Sequence, residues 1–118
     1  VSDINRRDAL KVLGVAPLAG VLDWSAPSVE RATRFVAQLE TEPADAADYT
    51  PKFFTPHEWR TVRVLADIVI PKDERSGSAT DAKAPEFIDF MLVDKETSEA
   101  SKVSMRGGLA WLDAEMRK

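Results

Sequence analysis

Across residues 54–71 (FTPHEWRTVRVLADIVIP) the apolar positions Trp59, Val62, Leu65, Ala66 and Val69 return every three or four residues, the spacing of one helix face. The residues ahead of this stripe start the helix. Thr55 is the N-cap, because its hydroxyl can accept from an otherwise unpaired first-turn N–H, and Pro56 follows at N1, where no N–H is missed. Glu58 at N3 completes a capping box, while Phe54 and Trp59 occupy the two positions of a hydrophobic staple. Pro71 disfavours helix at Ile70 and closes the run. Arg60, Arg63 and Asp67 fall off the stripe and are expected to face solvent.

The same periodicity predicts three further helices. Ser28 is placed as the cap of a helix over residues 29–40, with Val29, Ala32, Phe35, Val36 and Leu39 on one face. Residues 41–51 turn to Glu, Asp, Ala and Pro and read as a surface connector that Tyr49, Phe53 and Phe54 fasten to the core. Pro85 and Glu86 open a helix reaching about Asp94, whose face is Phe87, Ile88, Met91 and Leu92 with Phe90 on its flank. In the last segment Val103, Leu109, Leu112 and Met116 follow helical spacing, with Met105 and Trp111 beside them. Gly107 and Gly108 cost about 1 kcal/mol each against Ala in a helix. They either let another backbone approach closely or break the segment into two helices. Nothing alternates with a period of two, so the fold class is all-α: a small bundle of about four helices over residues 23–118, preceded by a segment of different character over 1–22.

That first segment (VSDINRRDALKVLGVAPLAGVL) has a charged start with Arg6, Arg7 and Lys11, then an apolar run over residues 12–22 broken by Gly14, Pro17 and Gly20. This is the layout of a signal peptide. Residues 5–11, Asn-Arg-Arg-Asp-Ala-Leu-Lys, resemble the twin-arginine export motif in Arg6, Arg7, Leu10 and Lys11, and depart from it at Asn5 and Ala9. The alternative is an amphipathic surface helix that carries an Arg-Arg pair. No clear small-x-small cleavage site follows the run.

Composition narrows the chemistry. The chain has 118 residues, 44% of them apolar and 31% charged, which fits one folded domain rather than a disordered chain. A net charge of -4 offers no basic field for phosphates, so nucleic acid is not an expected partner. With no cysteine, thiol catalysis, disulfides and thiolate metal sites are excluded. The polar stretch after Pro71, PKDERSGSATDAKA, fails as a calcium loop, because placing Gly77 at the sharp turn puts Lys72 and Lys83 where carboxylates are needed. It is expected to be an exposed loop. The single histidine, His57, sits in a helix first turn that capping already explains, and no second histidine can pair with it. Glu86 and Asp89 share a helix face at i, i+3 and are expected to be solvated carboxylates. No glycine loop that could cradle a phosphate occurs. No catalytic, cofactor-binding or metal-ligating residue is therefore assigned, and the chain is not expected to be an enzyme by itself.

The order and spacing of three stretches, FFTPHEWRTVRVLADIVIP, KAPEFIDFMLVD and RGGLAWLDAE, resemble the gluconate 2-dehydrogenase subunit 3 family over residues 53–118. Chains of that family usually continue past the Trp111 helix, so the C-terminal part of the usual domain is expected to be absent here. The resemblance implies the small, or gamma, subunit of a periplasmic flavin-dependent sugar or sugar-acid dehydrogenase, membrane-associated through its complex. The small subunit would hold no cofactor itself. FAD would lie in a partner flavoprotein of the glucose-methanol-choline type, and haem c in a multihaem cytochrome c subunit. The implied roles are export escort, lending a twin-arginine signal to a flavoprotein that has none, and stabiliser of that flavoprotein. Phe54, Thr55, Glu58, Trp59, Phe87 and Trp111 are the structural or partner-facing candidates. Two other classes stay open at this point: a helical interaction module unrelated to dehydrogenases, and a free enzyme using His57 with a carboxylate.

Overall fold

The computed structural model describes residues 24–42 and 49–118. The export-signal residues Arg6, Arg7, Leu10 and Lys11, the whole segment 1–22 and the middle of the connector lie outside the described residues. Four α-helices and no strand occur among the described residues: α1 (Ala26–Glu40), α2 (Pro56–Val69), α3 (Ala84–Val93) and α4 (Glu99–Met116). Among the described residues, no helix is long and apolar enough to cross a membrane.

The start of α2 forms as its sequence dictates. The Thr55 hydroxyl accepts from Glu58 N, Glu58 Oε1 accepts from Thr55 N, and Pro56 opens the helix. Phe54 and Trp59 are both buried with ring centroids 6.0 Å apart, which closes the staple. The far end differs from expectation: Trp59 and Val62 are buried, but Leu65 is 36% and Val69 76% exposed. The stripe is covered only in its first two turns.

The helix about which the others assemble is α3, which packs against both α1 and α2. It is the shortest of the four, yet Pro85, Glu86, Asp89, Met91 and Leu92 are all buried in it. The main apolar cluster joins Phe53, Phe54, Trp59 and Val62 to Leu92 of α3 and Leu109 of α4, with Tyr49, Ile88 and Met105 at its edge. A second aromatic seam runs from α1 into this cluster. Phe35 stacks on Phe90 at 4.9 Å and lies edge-on to Tyr49, whose ring is 5.4 Å from Trp59.

Several expected boundaries shift for local reasons. Helix α1 begins three residues earlier than Ser28 implied, because Ser25 is its cap and Pro27 fits the first turn. Ser28 is instead a buried residue inside the helix. Gly107 and Gly108 do not break α4, and among the described residues no atom outside the helix's own backbone approaches within 4 Å of a Cβ built at either, so neither serves a close approach there. The seam of α4 is Met105, Leu109 and Leu112; Val103 and Met116, expected on it, are 69% and 80% exposed. The loop after α2 is exposed from Pro71 to Gly77 but not beyond: Ser78 and Ala79 are buried, and Asp67 of α2 accepts from Thr80 N at 2.9 Å and Thr80 Oγ1 at 2.7 Å. Asp67 is thus half-buried and tied to the loop rather than free on the surface, and those Thr80 bonds hold its carboxyl below the usual range.

Candidate functional site

The polar chemistry of the chain is concentrated where α2 and the connector before it meet α3 and α4. Asp89, expected to be solvated, is 0% exposed. Its carboxylate accepts four hydrogen bonds, from Lys52 N at 2.8 Å, Phe53 N at 2.9 Å, Phe54 N at 3.3 Å and the Tyr49 hydroxyl at 2.5 Å. Three successive backbone N–H groups that no helix or sheet serves are thereby satisfied, which is what lets an irregular segment run through the core. Burial, with help from the Asp89 bond, raises the Tyr49 phenol well above its ordinary pKa and keeps it a donor. Asp89 therefore fixes the Phe53 and Phe54 backbone that sets the staple of α2.

Two side-chain links join this corner to α4. Arg106 donates to Glu58 Oε1 at 2.7 Å and to Phe53 O at 2.8 Å, with its guanidinium 4.2 Å from the Phe53 ring centroid. His57 Nε2 lies 2.9 and 3.0 Å from the two oxygens of Asp113. A histidine with a carboxylate is the pairing that the enzyme reading required. Here the imidazole is 59% exposed, the carboxylate is half-buried, and neither lines the groove described below, so among the described residues the pair lies open to solvent. Its evident effect is to join α2 to α4. Among the described residues, no group of three His, Asp or Glu side chains could hold a metal ion.

At the opposite end of α3 a second network joins α1 to the turn before α4. Arg31 grips Asp94 through Nε and Nη2 at 3.0 and 2.9 Å and reaches Glu96 at 3.0 Å. The Ser28 hydroxyl donates to Asp94 at 2.8 Å, and the Ser25 hydroxyl donates to Glu96 at 2.6 Å. The Arg31 bonds, with those from Glu96 N and Ser28, hold the Asp94 carboxyl far below the usual carboxylate range; bonds from Ser25 and then Arg31 lower Glu96. Arg31 is correspondingly held more firmly in its charged form by its bonds to Asp94 and Glu96. Glu86, the other carboxylate expected in solvent, is also buried. One of its oxygens lies 3.8 Å from Arg63 and the other, Oε2, has no hydrogen-bond partner among the described residues.

The outer surface is apolar in places. Val64, Ile68, Val69 and Ile70 at the end of α2 are 55–76% exposed, and on α4 so are Val103, Trp111 and Met116, at 64–80%. An open groove of about 580 Å³ lies between α2, α3 and α4. Leu65, Ile88, Leu92 and Leu109 wall it, and Ser101, Ser104 and Gly108 give the α4 side a small-residue floor.

The six residues singled out from the sequence divide between these environments. Phe54 and Trp59 are core; Thr55 and Glu58 form the α2 cap, with Glu58 also serving Arg106; Phe87 is half-buried with its ring 6.0 Å from Trp24. Only Trp111 presents a large apolar surface outward. Sequence reasoning missed Asp89, Arg106, Asp113 and the Arg31, Asp94 and Glu96 network. The signal for Asp89 was present: it is the one acid inside the apolar run FIDFMLV, at a position flanked by apolar residues.

Comparison with protein families matches residues 56–118, all of α2, α3 and α4, to the family described as gluconate 2-dehydrogenase subunit 3. No curated protein and no solved structure matches the chain.

Proposed function

The chain belongs to the gluconate 2-dehydrogenase subunit 3 family, a subunit of a dehydrogenase complex, and from that premise we propose that it is the non-catalytic small subunit of a flavin-dependent sugar or sugar-acid dehydrogenase. It holds no cofactor of its own; FAD belongs to a catalytic partner of the glucose-methanol-choline type and haem c to a cytochrome subunit. Its roles are to escort that flavoprotein through twin-arginine export, using Arg6 and Arg7, and to stabilise it in the periplasm, where the complex is membrane-associated.

The observation that carries the reading is the coincidence of the family match with the uncovered apolar surface. Trp111 and Val103 on α4, and Ile68 and Val69 on α2, lie within the matched residues and are 64–76% exposed. Scattered apolar residues on a surface are ordinary, but a Trp with two-thirds of its surface uncovered is the kind of side chain that anchors interfaces. A body whose interior carboxylates Asp89 and Asp94 are already engaged with donors of its own is suited to holding a partner rather than to proton transfer.

The test is co-expression with a flavoprotein dehydrogenase that lacks a signal of its own, followed by affinity purification of this chain. A stoichiometric, flavin-loaded complex is expected, and Trp111→Arg is expected to dissociate it while leaving the isolated chain folded. Aldose or aldonate oxidation by the isolated chain, abolished by His57→Ala, would replace this reading with the enzyme one.

A further inference from the structure

The outer face of α4 carries two large apolar side chains with small positions beside them, an arrangement that complements itself. We propose that this face pairs with α4 of a second copy of the chain, antiparallel about a twofold axis at Gly107, each Trp111 seated among Ala100, Ser104 and Gly107 of the other copy.

A helix side left to water ordinarily carries charged and polar residues. On α4 the residues Ala100, Val103, Gly107, Ala110, Trp111 and Ala114 are all exposed and recur every three or four positions over about four turns without a charge among them. Val103 is 69% and Trp111 64% exposed. The charges of the helix lie toward the bundle instead, where Arg106 holds Glu58 and Asp113 meets His57.

The spacing on this face is symmetric. Val103 and Trp111 stand four residues to either side of Gly107, and Ala100 and Ala114 stand seven. In an antiparallel pair centred there, Trp111 enters the hole formed by Ala100, Val103, Ser104 and Gly107 of the second copy, the i, i+3, i+4, i+7 set that receives a knob. Val103 likewise enters the hole formed by Gly107, Ala110, Trp111 and Ala114. Each contact is made twice, as a twofold interface requires. Charge selects the same direction. The antiparallel pair brings Glu99, whose side chain is 85% exposed, beside the exposed Arg117 of the other copy and sets opposite helix-dipole ends together. A parallel pair would place Glu99 against Glu99 and Trp111 against Trp111.

The area is enough for a weak pair. With Trp111 contributing up to about 160 Å², the face buries about 500 Å² per copy, about 1,000 Å² in all, the lower limit of a specific interface. The dimer is therefore concentration-dependent. It does not rest on the flavoprotein reading and stands if that reading fails; a flavoprotein that takes Trp111 displaces the second copy.

Sedimentation equilibrium of the full chain, purified without a partner, is expected to move from the mass of one chain to that of two between about 1 and 500 µM. Gly107→Glu sets two like charges on the axis and should weaken association at least tenfold with the helical circular dichroism unchanged. Ile68→Glu, at an equally exposed apolar position on α2, should leave association as it is. Because the chain has no cysteine, direction is read by mixing Ala100→Cys and Ala114→Cys chains in equal amounts under mild oxidation. The mixed 100–114 disulfide should exceed the 100–100 and 114–114 products at least tenfold. A single-chain mass at every concentration overturns the proposal, as does association that Ile68→Glu abolishes and Gly107→Glu does not. Like-with-like or random disulfides overturn the antiparallel arrangement.

Discussion

Replacing Asp89 tests whether one buried carboxylate holds the connector in place. In Asp89→Ala the N–H groups of Phe53 and Phe54, whose bonds to Asp89 are buried, lose their acceptor. Stranding a buried donor costs about 1–3 kcal/mol, so the two together cost about 2–6 kcal/mol. Lys52 N and the Tyr49 hydroxyl are only partly buried and can turn to water, adding about 1 kcal/mol. A domain of this size has about 5–13 kcal/mol in all, at the usual stability per residue, so the loss is a large part of the total. Asp89→Asn keeps the shape but turns an amide N–H₂ toward either the Tyr49 and Lys52 donors or the Phe53 and Phe54 donors; it should cost about 2–3 kcal/mol. Urea unfolding followed by circular dichroism measures both variants, and Trp59 emission, read with Trp24 and Trp111 replaced by Phe, reports the corner itself, since its ring lies 5.4 Å from that of Tyr49. Glu30→Ala, which removes an exposed pair with Arg34, is the control and should change stability by less than about 0.5 kcal/mol. An Asp89→Asn protein that unfolds within about 0.5 kcal/mol of the unaltered chain would show that the carboxylate does not hold the connector.

Two further outcomes follow from the geometry. Gly107→Ala and Gly108→Ala meet no atom within 4 Å, so each should stabilise the isolated chain by about 1 kcal/mol through helix propensity alone, read as a rise in the urea midpoint; a fall would mean that something unseen approaches α4 at these positions. Asp94 and Glu96 have folded-state pKa values lowered by their Arg31 and serine bonds, so the stability they contribute is present above their unfolded values of about 4 and is lost as pH falls through the folded ones. Thermal midpoints between pH 6 and pH 2.5 should therefore drop more steeply for the unaltered chain than for Arg31→Met, which begins lower; parallel curves would show that Arg31 does not set those shifts.

Much of the fold was legible because local chemistry and tertiary packing agree in it. The capping box, proline and staple at the start of α2 are read from adjacent residues, and all-α character follows from periodicity. What failed shares one cause: spacing says that a face is apolar but not which face the remaining helices cover. Leu65 and Val69 continue the stripe of Trp59 and Val62, yet α3 covers only its beginning. Val103 follows the α4 pattern while Met105 takes its place in the seam. Glu86 and Asp89 misled for the complementary reason. A carboxylate is assumed to be solvated unless a partner is known, and the partners of Asp89 are backbone N–H groups 35 to 37 positions away, which side-chain spacing does not register. The candidate partner surface was legible only at Trp111, since exposure is a property of the assembled bundle.

Whether this small subunit carries a flavoprotein across the membrane by its own twin-arginine signal is decided by fractionating cells that co-express the pair. Arg6→Lys with Arg7→Lys changes no residue of α1, α2, α3 or α4 and should leave those helices folded. Both proteins are then expected to remain in the cytoplasm as a flavin-loaded complex, and dehydrogenase activity to disappear from the periplasmic side. Flavoprotein that still reaches the periplasm with the double-lysine variant would contradict the escort role.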